Sequence, residues 1–95
     1  MPSSRRPRDP RAIARELLAY LVEHPHAQDT VDGIVHWWLR PRGIEAEPDV
    51  VQQAVRALVD SRLLLEIHAP DGRLHYCVNG DRWDDVLARV ENGAD

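Results

Sequence analysis

The stretch that decides the fold runs from Pro48 to Asn79, PDVVQQAVRALVDSRLLLEIHAPDGRLHYCVN. Its first part has helical periodicity: Val51, Ala54, Val55 and Leu58 recur on one face, with Asp49, Gln52, Gln53, Arg56 and Asp60 on the other. Pro48 suits the first helical position, where no amide hydrogen is needed. This helix is expected to end near Ser61. The remainder alternates, with strands expected over about 63–69 and 73–78 around Ala69-Pro70-Asp71-Gly72, a type I turn closing into a glycine bulge. If Ala69 pairs with Arg73, Leu64, Glu66, His68, Leu74, Tyr76 and Val78 share one face, and Leu65, Ile67, Arg73, His75 and Cys77 the other. Leu64, Tyr76 and Val78 are then the core contacts. Leu65 and Ile67 remain on an outer face that something should cover.

Working outward, two helical segments lie upstream. Asp9-Pro10 is a strong start, a capping acid followed by a first-turn proline. Ile13, Leu17, Leu18, Leu21 and Val22 carry this helix to about Glu23, where Pro25 ends it. Asp29 or Thr30 caps a second helix to about Leu39, with Val31, Ile34, Val35 and Trp38 in one stripe. Pro41 and Gly43 stop it. Gly33 inside this helix is unfavourable by about 1 kcal/mol relative to Ala, so close approach to a neighbouring helix is expected there. Downstream, Asp81 is expected to cap a short helix over 82–91, with Trp83, Val86, Leu87 and Val90 on one side and Trp83 as its anchor in the core.

Composition sets the outer bounds. The 95 residues make one domain, and 43% hydrophobic content allows a modest core. The single cysteine excludes an internal disulfide and points to the cytoplasm. No apolar run approaches the roughly 20 residues of a membrane span, and no hydrophobic region follows the basic start, so no secretory signal is expected. All 12 basic residues are arginine, as codon bias in a GC-rich genome produces. Residues 1–11 carry Arg5, Arg6, Arg8 and Arg11 against Asp9, whereas the rest carries 8 arginines against 15 acids. A disordered basic arm over 1–8 is therefore expected ahead of an acidic body, and an acidic body repels a phosphate backbone unless its cations cluster.

The segment Val51–Val78, VQQAVRALVDSRLLLEIHAPDGRLHYCV, resembles the recognition helix and wing of bacterial winged-helix regulators. Val51, Val55 and Leu58 match the helix, Arg62-Leu63-Leu64 its exit, Asp71-Gly72 the wing turn, and Tyr76-x-Val78 the return strand. The resemblance covers about residues 10–80. It implies an α+β winged helix-turn-helix over 9–80, with a three-helix core, a β-hairpin wing and an additional C-terminal helix and tail over 81–95. Three departures bear on function. Arg62 stands where glycine is common, which implies a different helix exit. Glu45, Glu47 and Asp49 surround the start of the third helix, favouring its dipole but opposing DNA. The wing offers one cation, Arg73, beside Asp71.

Two functions fit these residues. The first is a non-enzymatic protein-interaction module, a homodimer or an adaptor in a larger bacterial assembly, with Trp37, Leu65 and Ile67 as its interface. Trp37 lies about 100° around the helix from Trp38 and so on its flank, and exposed tryptophan is a frequent binding hot spot. The second is a DNA-binding regulator. Gln52 and Gln53 would pair with adenine and Arg56 with guanine, Arg73 would touch phosphate from the wing, and Arg5, Arg6 and Arg8 would enter a minor groove. No nucleophile motif or phosphate-binding glycine loop suggests an enzyme, and no cofactor is expected. His75-x-Cys77 places two potential ligands on one strand face, short of the four a zinc site needs, and Cys77 is expected to be a packed residue.

Overall fold

The computed structural model describes residues 9–92, so the expected basic arm, including Arg5, Arg6 and Arg8, lies outside the described residues. The described residues form an α+β fold, with four helices and a three-stranded antiparallel sheet. We label the elements α1 (Pro10–Glu23), β1 (Gln28–Asp29), α2 (Val31–Gly33), α3 (Pro48–Asp60), β2 (Leu64–His68), β3 (Leu74–Val78) and α4 (Trp83–Glu91).

The capping chemistry read from sequence operates at both early helices. The Asp9 carboxylate accepts from the Arg11 amide at 2.9 Å, with Pro10 in the first turn. Thr30 caps α2, its hydroxyl accepting from the Gly33 amide at 3.1 Å. Beyond Gly33 the helix widens into a π-helical turn, Ile34–Leu39, then tightens into a 3₁₀ turn, Arg40–Arg42. Ile34, Val35, Trp38 and Leu39 face the core, and His36 and Trp37 face out.

Gly33 corrects one expectation. It is buried, but its close neighbour is the Asp29 side chain and not a helix; a Cβ there would overlap that carboxylate. Asp29 in turn accepts from the Thr30 amide at 2.8 Å. Residues 28–29, of which Asp29 was a candidate cap, form a third strand instead. Gln28 pairs with Cys77 and Asp29 with Tyr76, which gives the sheet order β1-β3-β2.

The hairpin register is the expected one, from Leu64 opposite Val78 to His68 opposite Leu74. Gly72 adopts φ +81°, its amide donating to the Ala69 carbonyl at 3.0 Å, while the Ala69 amide donates to Arg73 at 3.0 Å. Leu64 and Tyr76 are buried and Val78 is half-buried against the core.

Two helix ends share one device. After the 3₁₀ turn, Gly43 at φ +79° donates to the Arg40 carbonyl, and the Ile44 amide donates to that of Leu39. After α3, Arg62 at φ +65° donates to the Val59 carbonyl, and the Leu63 amide donates to that of Leu58. Both are Schellman ends, and in each the residue after the left-handed position is buried with the one five before it, Ile44 with Leu39 and Leu63 with Leu58. The α3 exit therefore has the usual geometry, with arginine in the conformation glycine adopts most easily. Since a side chain in the left-handed region costs roughly 1–2 kcal/mol, Arg62→Gly is expected to stabilise the domain by about 1 kcal/mol, raising Tm by about 4–8 °C. Calorimetry reads this, and an unchanged or lower Tm would mean that Arg62 is held there without strain.

Asn79 joins three elements. Its amide donates to the Leu63 carbonyl at 2.9 Å, its Nδ2 to the Arg62 carbonyl at 2.8 Å, and its Oδ1 accepts from the Asp81 amide at 3.1 Å. The expected Asp81 cap of α4 is thus replaced: Asn79 caps a 3₁₀ turn, Gly80–Arg82, and Arg82 precedes α4 without a side-chain cap. Trp83, the first residue of α4, is half-buried and not a core anchor; Val86, one turn further on the same face, is the α4 residue fully enclosed. The core itself is built from α1, the second helical run and α3, closed by Leu63, Leu64 and Tyr76.

Candidate functional site

The outward face of α3 and the inner face of the hairpin meet in a small polar network. Gln52, Gln53 and Arg56 are all exposed. The Tyr76 hydroxyl, on a ring that is otherwise buried, donates to Glu66 Oε2 at 3.1 Å, and the same oxygen lies 3.9 Å from Arg56 Nη2. One of the three α3 residues expected to read bases, Arg56, is therefore engaged with the sheet. Burial, reinforced by the bond to Glu66 and by its charge, pushes the Tyr76 hydroxyl above its ordinary 10.0. The folded chain then holds this proton more tightly than the unfolded chain. The resulting stability is fully present below pH 10.0 and is lost as pH rises past it. Tyr76→Phe should lower stability by about 1 kcal/mol, because Glu66 loses a donor in a partly buried position. It should also flatten the alkaline limb of a urea-unfolding series, and an unaltered limb would assign that limb to another group.

Beside the network is a shallow cleft of about 460 Å³ between the start of α2, the first turn of α3 and the β2–β3 hairpin. Asp32 and Asp49 line it against a single cation, Arg73, with Thr30 and Gln52 between them. Glu47 is the residue before α3 and is exposed. In α3 itself Arg56 is the one basic residue. At the hairpin tip, Asp71 accepts from the Arg73 amide at 2.9 Å and lies 3.3 Å from His75 Nε2. The first contact, then the second, hold its carboxyl below the usual value.

The residues expected at a protein interface occupy two separate surfaces. Trp37 is 68% exposed on the outer side of the π-helical turn, next to Trp38, which is 2% exposed and stacked on Tyr20 with ring centroids 4.9 Å apart. Leu65 is 43% exposed on the outer sheet face, and Ile67 beside it is half-buried. Cys77 shares that face, and burial pushes its thiol up from its ordinary value. Among the described residues no group of three or more His, Cys, Asp and Glu is placed to hold a metal ion.

A wider cleft, about 810 Å³, separates the start of α1 from the end of α3 and from α4. Arg11, Arg15 and Arg89 line it together with Asp9 and Asp85. No sequence signal marks this cleft, because its residues come together only when α4 packs on α1.

No family model and no curated protein matches the chain. Among solved structures it is similar to the crystal structure of Pex from Synechococcus sp. (strain PCC 7942) (Anacystis nidulans R2), with a TM-score of 0.54 and 17% identity over 99% of this chain and 88% of that one. At that identity the likeness is one of fold. No helix among the described residues is long and apolar enough to cross a membrane.

Proposed function

We propose that this chain is a winged-helix protein-interaction module. The order α1, α2, α3, hairpin, with a short β1 completing the sheet, supports the winged-helix reading. The observation that carries the functional reading is the state of α3. Its one cation, Arg56, is turned to Glu66, and its first turn opens onto a cleft lined by Asp32 and Asp49. A helix presented to phosphates in this way meets carboxylates first, where nucleic-acid readers place cations. A protein surface has no such requirement, and Trp37 supplies an exposed aromatic anchor of the kind that dominates interface energetics.

The DNA-binding alternative retains one specific support. Gln52, Gln53 and Arg56 share an exposed helix face in the order base readout would use. Fluorescence anisotropy of the full chain with random duplex DNA across a salt series separates the two. The interaction reading expects no salt-dependent binding even at low salt. Binding that falls steeply with salt, with a slope reduced by Arg56→Ala, would overturn it in favour of DNA.

A further inference from the structure

We propose that the free edge of β2 pairs with β2 of a second copy of this chain, joining two sheets into one across a two-fold axis near Glu66. The inference rests on the interaction reading above and names its partner.

The hydrogen-bond phase of the hairpin identifies the edge. The Ala69 amide donates to Arg73 and the Asn79 amide to Leu63, so positions 63 and 69 belong to hydrogen-bonded pairs with β3. Such pairs alternate along an antiparallel ladder. Leu65 and Ile67 therefore also bond inward, and the amides and carbonyls of Leu64, Glu66 and His68 point away from the sheet. β2 is terminal in the order β1-β3-β2, and no backbone group among the described residues pairs with those three. An exposed run of this kind is a template for another strand.

The side chains along the edge are complementary to their own two-fold copy. With Glu66 opposite its equivalent, Leu64 faces His68 of the second copy, and all three positions bond in both directions. Leu65 then lies beside the second Ile67, and Ile67 beside the second Leu65, closing the outer apolar face that each chain leaves uncovered. On the inner face the two Glu66 carboxylates come together. Like charges there would oppose pairing, but each brings its own Arg56, at 3.9 Å and more than half exposed, which places alternating charges at the axis. The same patch on both partners is what a two-fold interface requires.

Sedimentation velocity of the full chain over a wide concentration range, with amide exchange read by NMR, tests the proposal. A dimer is expected, with the Glu66 and His68 amides protected at high concentration and exposed on dilution. His68→Pro removes an outward donor without touching the β2–β3 ladder, a position where an edge strand accepts proline, and should give a folded monomer. Leu65→Lys, on an exposed site, should weaken association by about tenfold or more through an unpaired charge at the contact. A monomer at every concentration, or a dimer indifferent to both variants with unprotected edge amides, would overturn the edge pairing. A dimer that survives His68→Pro and Leu65→Lys but dissociates with Trp37→Ala would reject the edge and keep the interaction reading. Should His68→Pro fail to fold, Leu65→Lys and the amide protection decide between the same outcomes.

Discussion

Trp38→Ala is expected to destabilise the domain by about 3–5 kcal/mol, whereas Trp37→Ala, one residue away, should change stability by no more than about 0.5 kcal/mol. Trp38 is 2% exposed, packed in the core and stacked on Tyr20 with 11° between the ring planes. Its removal takes away the burial of a large aromatic and leaves a cavity between α1 and the second helical run. Trp37 is 68% exposed and has little to lose on folding. Since domains of this size hold about 5–15 kcal/mol in total, the Trp38 variant should lose a large share of its stability, with Tm lower by about 12 °C or more. Thermal unfolding followed by circular dichroism compares the two directly. Similar losses in both variants would show that Trp37 is enclosed in solution, and the interaction surface proposed on it would then be lost.

The second large effect belongs to Gly33→Ala. In an ordinary helix this change stabilises by about 1 kcal/mol, and here the sign should reverse. The methyl group would occupy the space of the Asp29 carboxylate, which accepts from the Thr30 amide at 2.8 Å. Asp29 would have to rotate away, giving up that bond and disturbing the β1 pairing with Tyr76. A net loss of about 1–3 kcal/mol is expected, as for other overpacked positions. The double variant Asp29→Ala/Gly33→Ala isolates the cause, because the two changes should be strongly non-additive and Asp29→Ala should recover much of the loss caused by Gly33→Ala. A Gly33→Ala protein as stable as the parent would show that Asp29 moves aside freely.

Chain-local signals carried much of this fold. Asp9-Pro10, Pro48 and Gly72 act through contacts within four residues of themselves, so sequence alone places them; Thr30 also acts locally, but sequence left Asp29 as an equal candidate for that cap. The hairpin register follows from the same logic: one turn sets the phase, and period-two alternation propagates it to Leu64 and Val78. The misreadings have the opposite character. Trp83 was expected in the core because it shares a helical stripe with Val86, Leu87 and Val90, but periodicity tells which side turns inward and not how deeply the first residue of α4 is covered. Asp81 was expected to cap because nothing nearby reveals that Asn79 is already bonded to Arg62, 17 positions away in the chain. Arg62 hid a Schellman end that Gly43 announced plainly.

The candidate surfaces divide in the same way. Exposure of Gln52, Gln53, Arg56 and Trp37 follows from helical phase. The pairing of Arg56 with Glu66, the bond from Tyr76, and the acidic cleft that gathers Asp32 and Asp49 do not, because each joins residues from different elements.

By itself the sequence determined the positions of α1, α3 and the hairpin, the register of β2 against β3, and which helix faces turn inward. These depend on backbone capping, proline and glycine geometry and apolar period, all of which act over a few residues. Only the tertiary structure decided that residues 28–29 become a strand, that Asp29 fills the space beside Gly33, that Arg56 answers Glu66, and that Leu64, Glu66 and His68 present an unpaired edge. Each of these depends on which distant groups are brought within a few ångströms once the core closes, and short-range propensity carries no record of that distance.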